Sequence, residues 1–348
     1  MDGTCCAAPG EDPQPAALSE RQSMKRSALA GGGVDFVALP GGSFLMGSTD
    51  PDVNREDGEG PIREVTLSPF AMGRFPVTNA EFAAFVADTG YRTGAERHGW
   101  SYVFASFLPT TVRQVSRRPP RTPWWCGVAG ATWDAPEGPG STVDDRADHP
   151  VVHVDHDDAL AFCAWAGTRR PTEAEWEYAA RGGLVGARFA WGDELTPGGE
   201  HRCNIWQGTF PTRNTSEDGY AGTAPVAAFP PNGFGLYGVA GNVWEWCADW
   251  WGIRHPETPL VDPTGPAEGR ARVMRGGSYL CHDSYCNRYR VAARTSNDPL
   301  SSSGNTGFRC AMSSPSVLQE IGDVRAETYD DGMRIPIGGL SPEGRPHG

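Results

Sequence analysis

The sequence predicts an α+β fold: a single loop-rich domain with little regular secondary structure, its short helices and strands packed beneath ordered loops. Three observations carry this. Helix starts with clear capping signals occur at only a few places, short strand-like runs alternate with turn residues, and 45 glycines and 30 prolines punctuate the 348 residues. Hydrophobic residues make up 39%, and twelve tryptophans let short elements bury large side chains, enough for one large domain.

In chain order, residues 1–33 read as a disordered leader. They contain Pro9, Pro13 and Pro15, scattered charges and the run Gly31-Gly32-Gly33. Adjacent Cys5 and Cys6 fall in that leader. Short strands are predicted at Phe36 to Leu39 and Arg63 to Leu67. Thr78-x-x-Glu81 is a capping box, followed by Phe82, Phe85 and Val86 at helical spacing and a stop at Gly90. A second helix is predicted from roughly Asp157 to Trp165, leaving at Gly167. Thr172-x-x-Glu175, just after Pro171, opens a third that runs through Trp176 and Tyr178 to Gly182-Gly183. Another strand is expected from Arg272 to Tyr279. Residues 34–312 show no linker-like break and no internal repeat, so they form one domain, and residues 313–348 read as a flexible tail.

Composition narrows the function. Thirty lysines and arginines against 43 acidic residues give a formal charge of −13. Affinity for phosphate backbones comes mainly from lysine and arginine, so nucleic acid is not an expected partner. No apolar run is long enough to span a membrane. The amino terminus lacks a signal peptide's order of charged, apolar and small segments, so cytoplasmic residence is expected. Nine cysteines leave at least one thiol free in a monomer, which turns attention from disulfide scaffolding to metal or redox chemistry.

The informative segment runs from Arg275 to Arg290, where Cys281 and Cys286 are separated by four residues after a glycine-bearing strand end. A loop brings such thiols together readily. Zinc normally takes four ligands, and only His282 is at hand as a third. Copper(I) is soft and prefers thiolates, and two suffice for it. Arg288, Arg290 and Arg294 are close in sequence and would favour thiolates electrostatically. Spacing alone leaves a disulfide, a copper or redox site and unpaired core cysteines all open.

The run Gly276 to Arg290 resembles the active-site segment of formylglycine-generating enzymes. Similar likeness is carried by Arg170-Pro171-Thr172-Glu173-Ala174-Glu175-Trp176-Glu177-Tyr178, Asn204-Ile205-Trp206-Gln207-Gly208, Gly241-Asn242-Val243-Trp244-Glu245-Trp246 and Gly307-Phe308-Arg309-Cys310. The helix motif occurs across the wider sulfatase-modifying-factor superfamily and marks the fold. The two-cysteine segment marks the aldehyde-forming branch. The resemblance implies a fold distantly like C-type lectins and an oxidase of the cysteine in a Cys-x-Pro-x-Arg motif of unfolded sulfatases. That reaction makes Cα-formylglycine, consumes molecular oxygen, releases sulfide and draws on a thiol reductant. Cys281 and Cys286 would hold copper(I), and the client's cysteine would join them. Ser278, Trp244, Tyr285, Arg294 and Asn305 would line the site. Ser278 and Asn305 would supply hydrogen bonds and Arg294 a positive field, with Trp244 shaping the pocket. Plain core packing is the other reading of Trp244 and Tyr285. A monomer suits an enzyme that must admit an unfolded chain.

Calcium is the second metal implied by the resemblance. Asn204, the Ile205 carbonyl, Asp218 and the Tyr220 carbonyl match one site, all oxygen donors of the kind calcium takes. The Gly241 and Val243 carbonyls and Glu245 match another. There Gly238 replaces a side-chain ligand, a loss that should weaken that site. Cys163 and Cys310 align with a structural disulfide of some members, implying that they lie close in space. A second family disulfide is lost at both ends, to Ala180 and Val291. Trp100 to Phe104 resembles a flank of the client groove, with Trp100 where some relatives carry an acid. Asp155-His156-Asp157-Asp158 departs from a more usual Ser-Trp-Asn-Asp. Two rivals share the superfamily fold. An ergothioneine-type iron sulfoxide synthase would need a histidine-rich helical domain ahead of it, and a non-catalytic binding module of the vertebrate type lacks the cysteine pair.

Overall fold

The computed structural model describes residues 33–256 and 258–313. The reading of residues 1–32, including Cys5 and Cys6, and of the tail from residue 314 lies outside them. The strands, in order, are β1 (Phe36–Leu39), β2 (Gly42–Met46), β3 (Arg63–Leu67), β4 (Phe70–Gly73), β5 (Trp100–Phe104), β6 (Trp125–Ala129) and β7 (Gly208–Thr209). They continue as β8 (Arg213–Asn214), β9 (Trp244–Trp250), β10 (Leu260–Val261), β11 (Arg272–Arg275), β12 (Arg294–Asn297), β13 (Thr306–Gly307) and β14 (Ala311–Met312). The helices are α1 (Asn79–Thr89), α2 (Gly94–His98), α3 (Thr110–Val115), α4 (His156–Ala166) and α5 (Glu173–Arg181). Among the described residues no helix is long and apolar enough to cross a membrane.

Capping chemistry sets the helices. In α1 the Thr78 hydroxyl accepts from Glu81 N–H while Glu81 reaches back to Thr78 N–H, and Gly90 closes the helix at a positive φ of 65°. The same reciprocal pair opens α5 at Thr172 and Glu175, with Gly182 as its cap. Helix α4 starts one residue earlier than expected, because Asp155 rather than His156 is its cap, and Gly167 ends it. Phe82 and Phe85 of α1 meet Phe162 of α4 with ring centroids 6.0 and 5.6 Å apart. All three rings are buried, and truncating any of them to alanine would cost about 3–5 kcal/mol.

The strands form small sheets, as the many turn residues require. The four-stranded sheet has the order β12-β11-β9-β13, with β13 parallel to β9. A second sheet, β1-β4-β14, joins the start of the domain to its end. Strand β11 stops at Arg275, not Tyr279. Gly276 and Gly277 take φ of 94° and 75°, and a Cβ on Gly277 would lie 2.9 Å from the Arg288 carbonyl oxygen. Only glycine tolerates both the conformation and the approach. The chain therefore leaves the sheet there and turns into the segment bearing the two cysteines.

Behind β11 lies a buried ion network. Arg275 donates to Glu173 Oε1 (3.0 Å) and Glu177 Oε2 (2.5 Å), and Arg181 reaches Glu177 Oε1 (2.6 Å). Burial alone would raise the Glu177 carboxyl, but Arg181, Arg275 and Arg63 outweigh it and hold Glu177 at about 2. Helix α5 is thereby fixed to β11 by charge as well as by packing.

Candidate active site

Cys281 and Cys286 face each other with their sulfurs 3.1 Å apart, both buried and not joined as a disulfide. A disulfide would bring them to about 2.0 Å. Local turns fix the spacing. Cys281 N–H donates to the Ser278 carbonyl (2.9 Å), and Cys286 and Tyr285 N–H both donate to the His282 carbonyl (2.6 and 3.0 Å). The Cys281 carbonyl accepts from Trp206 N–H (3.0 Å), which ties the loop to the Asn204–Gly208 motif.

Four more of the residues expected from the sequence lie beside this pair. Ser278 N–H points at Cys281 Sγ (3.3 Å), and the Ser278 hydroxyl accepts from Asn305 Nδ2 (2.9 Å). Asn305 Oδ1 is held in turn by the Ser303 hydroxyl (2.8 Å). Asn305 sits where it does because its carbonyl accepts from Trp244 N–H (2.8 Å) as β13 starts alongside β9. Trp244 is fully buried and packs in the same aromatic core as both cysteines, so it forms a dry wall. Tyr285 is half-buried and stacks on Phe210 (4.8 Å, 8° between planes), with Trp124 edge-on at 4.9 Å. Trp124 and Phe210 carry no sequence signal, because nothing in the spacing of residues 124, 210 and 285 marks them as neighbours.

Arg294 is anchored from several sides. Its guanidinium donates to both Glu173 oxygens (2.6 Å each) and to the carbonyls of Asp57 (3.0 Å) and Gly252 (2.6 Å), and it stacks on Trp251. Glu173 balances its charge, and it braces the backbone around Asp57, a carboxylate that also feels Cys286. Arg288 and Arg290 are likewise paired, with Asp57 and Glu59.

The expected calcium ligands separate into two cases. Asn204, Ile205, Asp218 and Tyr220 come together: Ile205 N–H donates to Asp218 Oδ2 (3.0 Å) and Tyr220 N–H to Asp218 Oδ1 (3.0 Å). The Gln207 carboxamide nitrogen bridges the Ile205 carbonyl and Asp218 Oδ2, so these two acceptors converge as they would on a cation. Asn204 Oδ1 is buried without a hydrogen-bond partner, an orphaned acceptor that a cation would satisfy. This set fits an oxygen-liganded ion. The second set does not. Glu245 is fully buried, accepts from Arg309 through both oxygens (2.6 and 2.7 Å) and from Trp176 Nε1 (2.7 Å), and so balances an arginine. Gly241 and Val243 stand beside it without a side-chain donor at Gly238.

Among the described residues, no three His, Cys, Asp or Glu side chains group as a metal site. A four-ligand zinc centre of the usual kind is therefore not built at the thiol pair. Two soft thiols in a dry pocket do fit copper(I). Cys163 and Cys310 also lie close, their buried sulfurs 3.8 Å apart between α4 and the strand end before β14. A cavity of about 230 Å³ opens beside the cysteine loop, lined by Cys203, Trp206, His282, Asp283 and Tyr289 among others.

Residues 22–314 match the family model described as the sulfatase-modifying factor enzyme 1-like domain. A formylglycine-generating enzyme of Thermomonospora curvata is 63% identical over 280 residues, 79% of this chain and 92% of the relative. An inactive C-alpha-formylglycine-generating enzyme 2 of Mus musculus is 47% identical over 281 residues, 80% of this chain and 85% of that one. The solved structure of PvdO from Pseudomonas aeruginosa superposes with a TM-score of 0.59 at 29% identity, covering 80% of this chain and 94% of its own.

Proposed function

This chain belongs to the sulfatase-modifying factor enzyme 1-like family, and we propose that it is a formylglycine-generating enzyme that converts a client sulfatase's cysteine to Cα-formylglycine. The observation that carries this reading is the buried, reduced pair Cys281–Cys286 at 3.1 Å, set against the Ser278–Asn305 hydrogen bond. Cys163 and Cys310 also lie close in the core, but only the Cys281–Cys286 pair has the Ser278 N–H aimed at one sulfur and an Asn305-held hydroxyl on the same residue.

In this reading the client is an unfolded segment carrying Cys-x-Pro-x-Arg, approaching past the half-buried aromatic rim of Trp124, Phe210 and Tyr285. Cys281 and Cys286 would hold copper(I), which when bound would supply the one-electron and oxygen chemistry that the side chains lack. Ser278 and Asn305 orient the reacting sulfur or oxygen, and Trp244 excludes bulk water from it. The electrons balance as follows. The client thiol carbon is oxidised to an aldehyde with release of sulfide, oxygen takes up four electrons and forms water, and a thiol reductant supplies two of the four. Calcium at Asn204, Ile205, Asp218 and Tyr220 stiffens the loop that meets the Cys281 carbonyl through Trp206. A cytoplasmic monomer suits this role.

The test is a peptide containing Cys-Thr-Pro-Ser-Arg incubated in air with copper(I)-loaded protein and followed by mass spectrometry. Replacement of the thiol by an aldehyde, absent in Cys281→Ala and Cys286→Ala, is the expected result. An unchanged peptide with folded, copper-loaded protein overturns the assignment and favours a non-catalytic binding module.

A further inference from the structure

The segment that follows Cys286 is tied down from the far end of the domain. Arg288 donates to Asp57 Oδ2 through Nε (2.7 Å) and Nη2 (2.5 Å). Arg290 donates to Glu59 Oε1 through Nη2 (2.9 Å) and pairs with Oε2 through Nη1 (2.8 Å). Each pair spans 231 residues of sequence, and all four side chains are buried. Two carboxylates two residues apart thus meet two guanidinium groups two residues apart.

The acidic partners are themselves held rigidly. Asn54 donates from Nδ2 to Asp57 Oδ2 (2.8 Å) and from its N–H to Glu59 Oε2 (3.0 Å). Between the two carboxylates Gly58 takes φ of 67°, and a Cβ there would lie 2.7 Å from the Ile253 carbonyl oxygen. Arg294 Nη1 holds the Asp57 carbonyl from behind. By contrast, residues 276–293, which contain the cysteine loop, include no helix or strand. Burying ion pairs costs desolvation that their attraction only partly offsets, so stability alone is a poor reason for two of them here. The Arg290–Glu59 fork, and the two Arg288 donors that converge on Asp57 Oδ2, do fix geometry.

We propose that Asp57 and Glu59 are positioning residues for the thiol pair: through Arg288 and Arg290 they clamp the cysteine loop and hold the two sulfurs within reach of one another. This rests on the reading of Cys281 and Cys286 as the reacting centre. Both carboxylates act through the guanidinium groups they hold, and Asp57 lies near enough to Cys286 to feel its charge. Arg294 belongs to the same assembly, one step further out.

The experiment uses the full chain with Asp57→Asn, Glu59→Gln, Arg288→Lys, the single variants Asp57→Arg and Arg288→Asp, and the exchange variant that combines these last two. The first readout needs no metal: the rate at which diamide joins Cys281 to Cys286, located by peptide mapping. The second is copper(I) affinity by competition with a coloured chelator, and the third is kcat and KM for the client peptide. Asp57→Asn and Glu59→Gln are expected to lower both the pairing rate and the copper affinity by about tenfold or more, the range typical of outer supports of metal ligands. With them kcat falls while KM stays within about twofold, and the exchange variant recovers most of the loss. Arg288→Lys, which keeps the charge but loses the fork, is expected to fall too and serves if Asp57→Asn does not fold. Pairing rates and copper affinity within about twofold of wild type, or an exchange variant no better than its single parents, overturn the clamp. A wild type that binds no copper and converts no peptide, yet whose pairing rate still drops in Asp57→Asn, sinks the enzymatic reading and leaves the clamp standing.

Discussion

Cys281 N–H donates to the Ser278 carbonyl while Ser278 N–H points back at Cys281 Sγ (3.3 Å), so one tight turn fixes both the backbone and the sulfur of the first cysteine. The second cysteine is set by an independent turn on His282. The pair is preorganised by backbone geometry, and each of its members is separately addressable. Cys281→Ala and Cys286→Ala should each abolish peptide conversion while keeping a native circular dichroism spectrum. Ser278→Ala removes the hydroxyl that meets Asn305 and should lower kcat by about a hundredfold, as loss of one preorganised polar contact does. Steady-state kinetics on the three variants checks this.

The calcium prediction separates the two sets of ligands. Added calcium should raise the thermal midpoint of the wild type, by an amount equivalent to about 2.7 kcal/mol at a hundredfold excess over Kd. Asp218→Ala should lose that response, and Glu245→Gln should keep whatever response it has while unfolding earlier, because its partner Arg309 is left unpaired. Scanning fluorimetry with calcium or a chelator reads both.

Glu177 makes stability depend on acid. Its carboxyl is held at about 2, below its unfolded value, so its contribution is present above the ordinary carboxylate range and lost as pH falls through about 2. Glu177→Gln should cost about 3–5 kcal/mol near neutral pH, since it strips Arg181 and Arg275 of a buried partner. The gap to wild type should close on acidification. Urea unfolding at several pH values measures it.

Asp155 has the opposite sign. It caps α4 by accepting from Asp158 N–H through Oδ1, while its Oδ2 is buried without a hydrogen-bond partner. Burial and the neighbouring Asp158 push Asp155 well above the carboxylate range, and burial lifts Asp158 to about 6. Asp157 also faces the pair, and Arg97 at 3.8–3.9 Å compensates only in part. Folded pKa values above the unfolded ones mean stability that is full below about pH 4 and lost as pH rises through about 6 and beyond. Asp155→Ser keeps the cap and removes the stranded oxygen. It should gain about 1–2 kcal/mol at mildly alkaline pH and little at acid pH, as thermal midpoints across the range will tell.

What could be read from the sequence was local chemistry. Thr78–Glu81 and Thr172–Glu175 marked two helices because a capping box is a short-range signal. The same signal stands at Thr93 and Glu96 and opens α2, a helix the sequence reading passed over. Strand β9 escaped notice for a physical reason: residues 244–250 are mostly buried on both faces, so they do not alternate. Within the site, Ser278, Cys281 and Cys286 were legible because they sit on one short loop. The partner of Arg294 was not legible, because β12 carries it to Glu173, 121 residues away. Asp57, Trp124 and Phe210 were invisible because their partners lie far along the chain.

The pairing of β4 with β14, and of Trp244 with Asn305, has a consequence for synthesis. Ala311 and Met312 complete a sheet begun at residue 36, and Asn305 supplies the hydrogen bond on Ser278. A chain growing from its amino end cannot finish the centre until almost all of the domain has left the ribosome. Cys281 and Cys286 carry their own local turns, but the Asn305 contact on Ser278 reaches them only once the carboxyl-terminal end of the domain has been made.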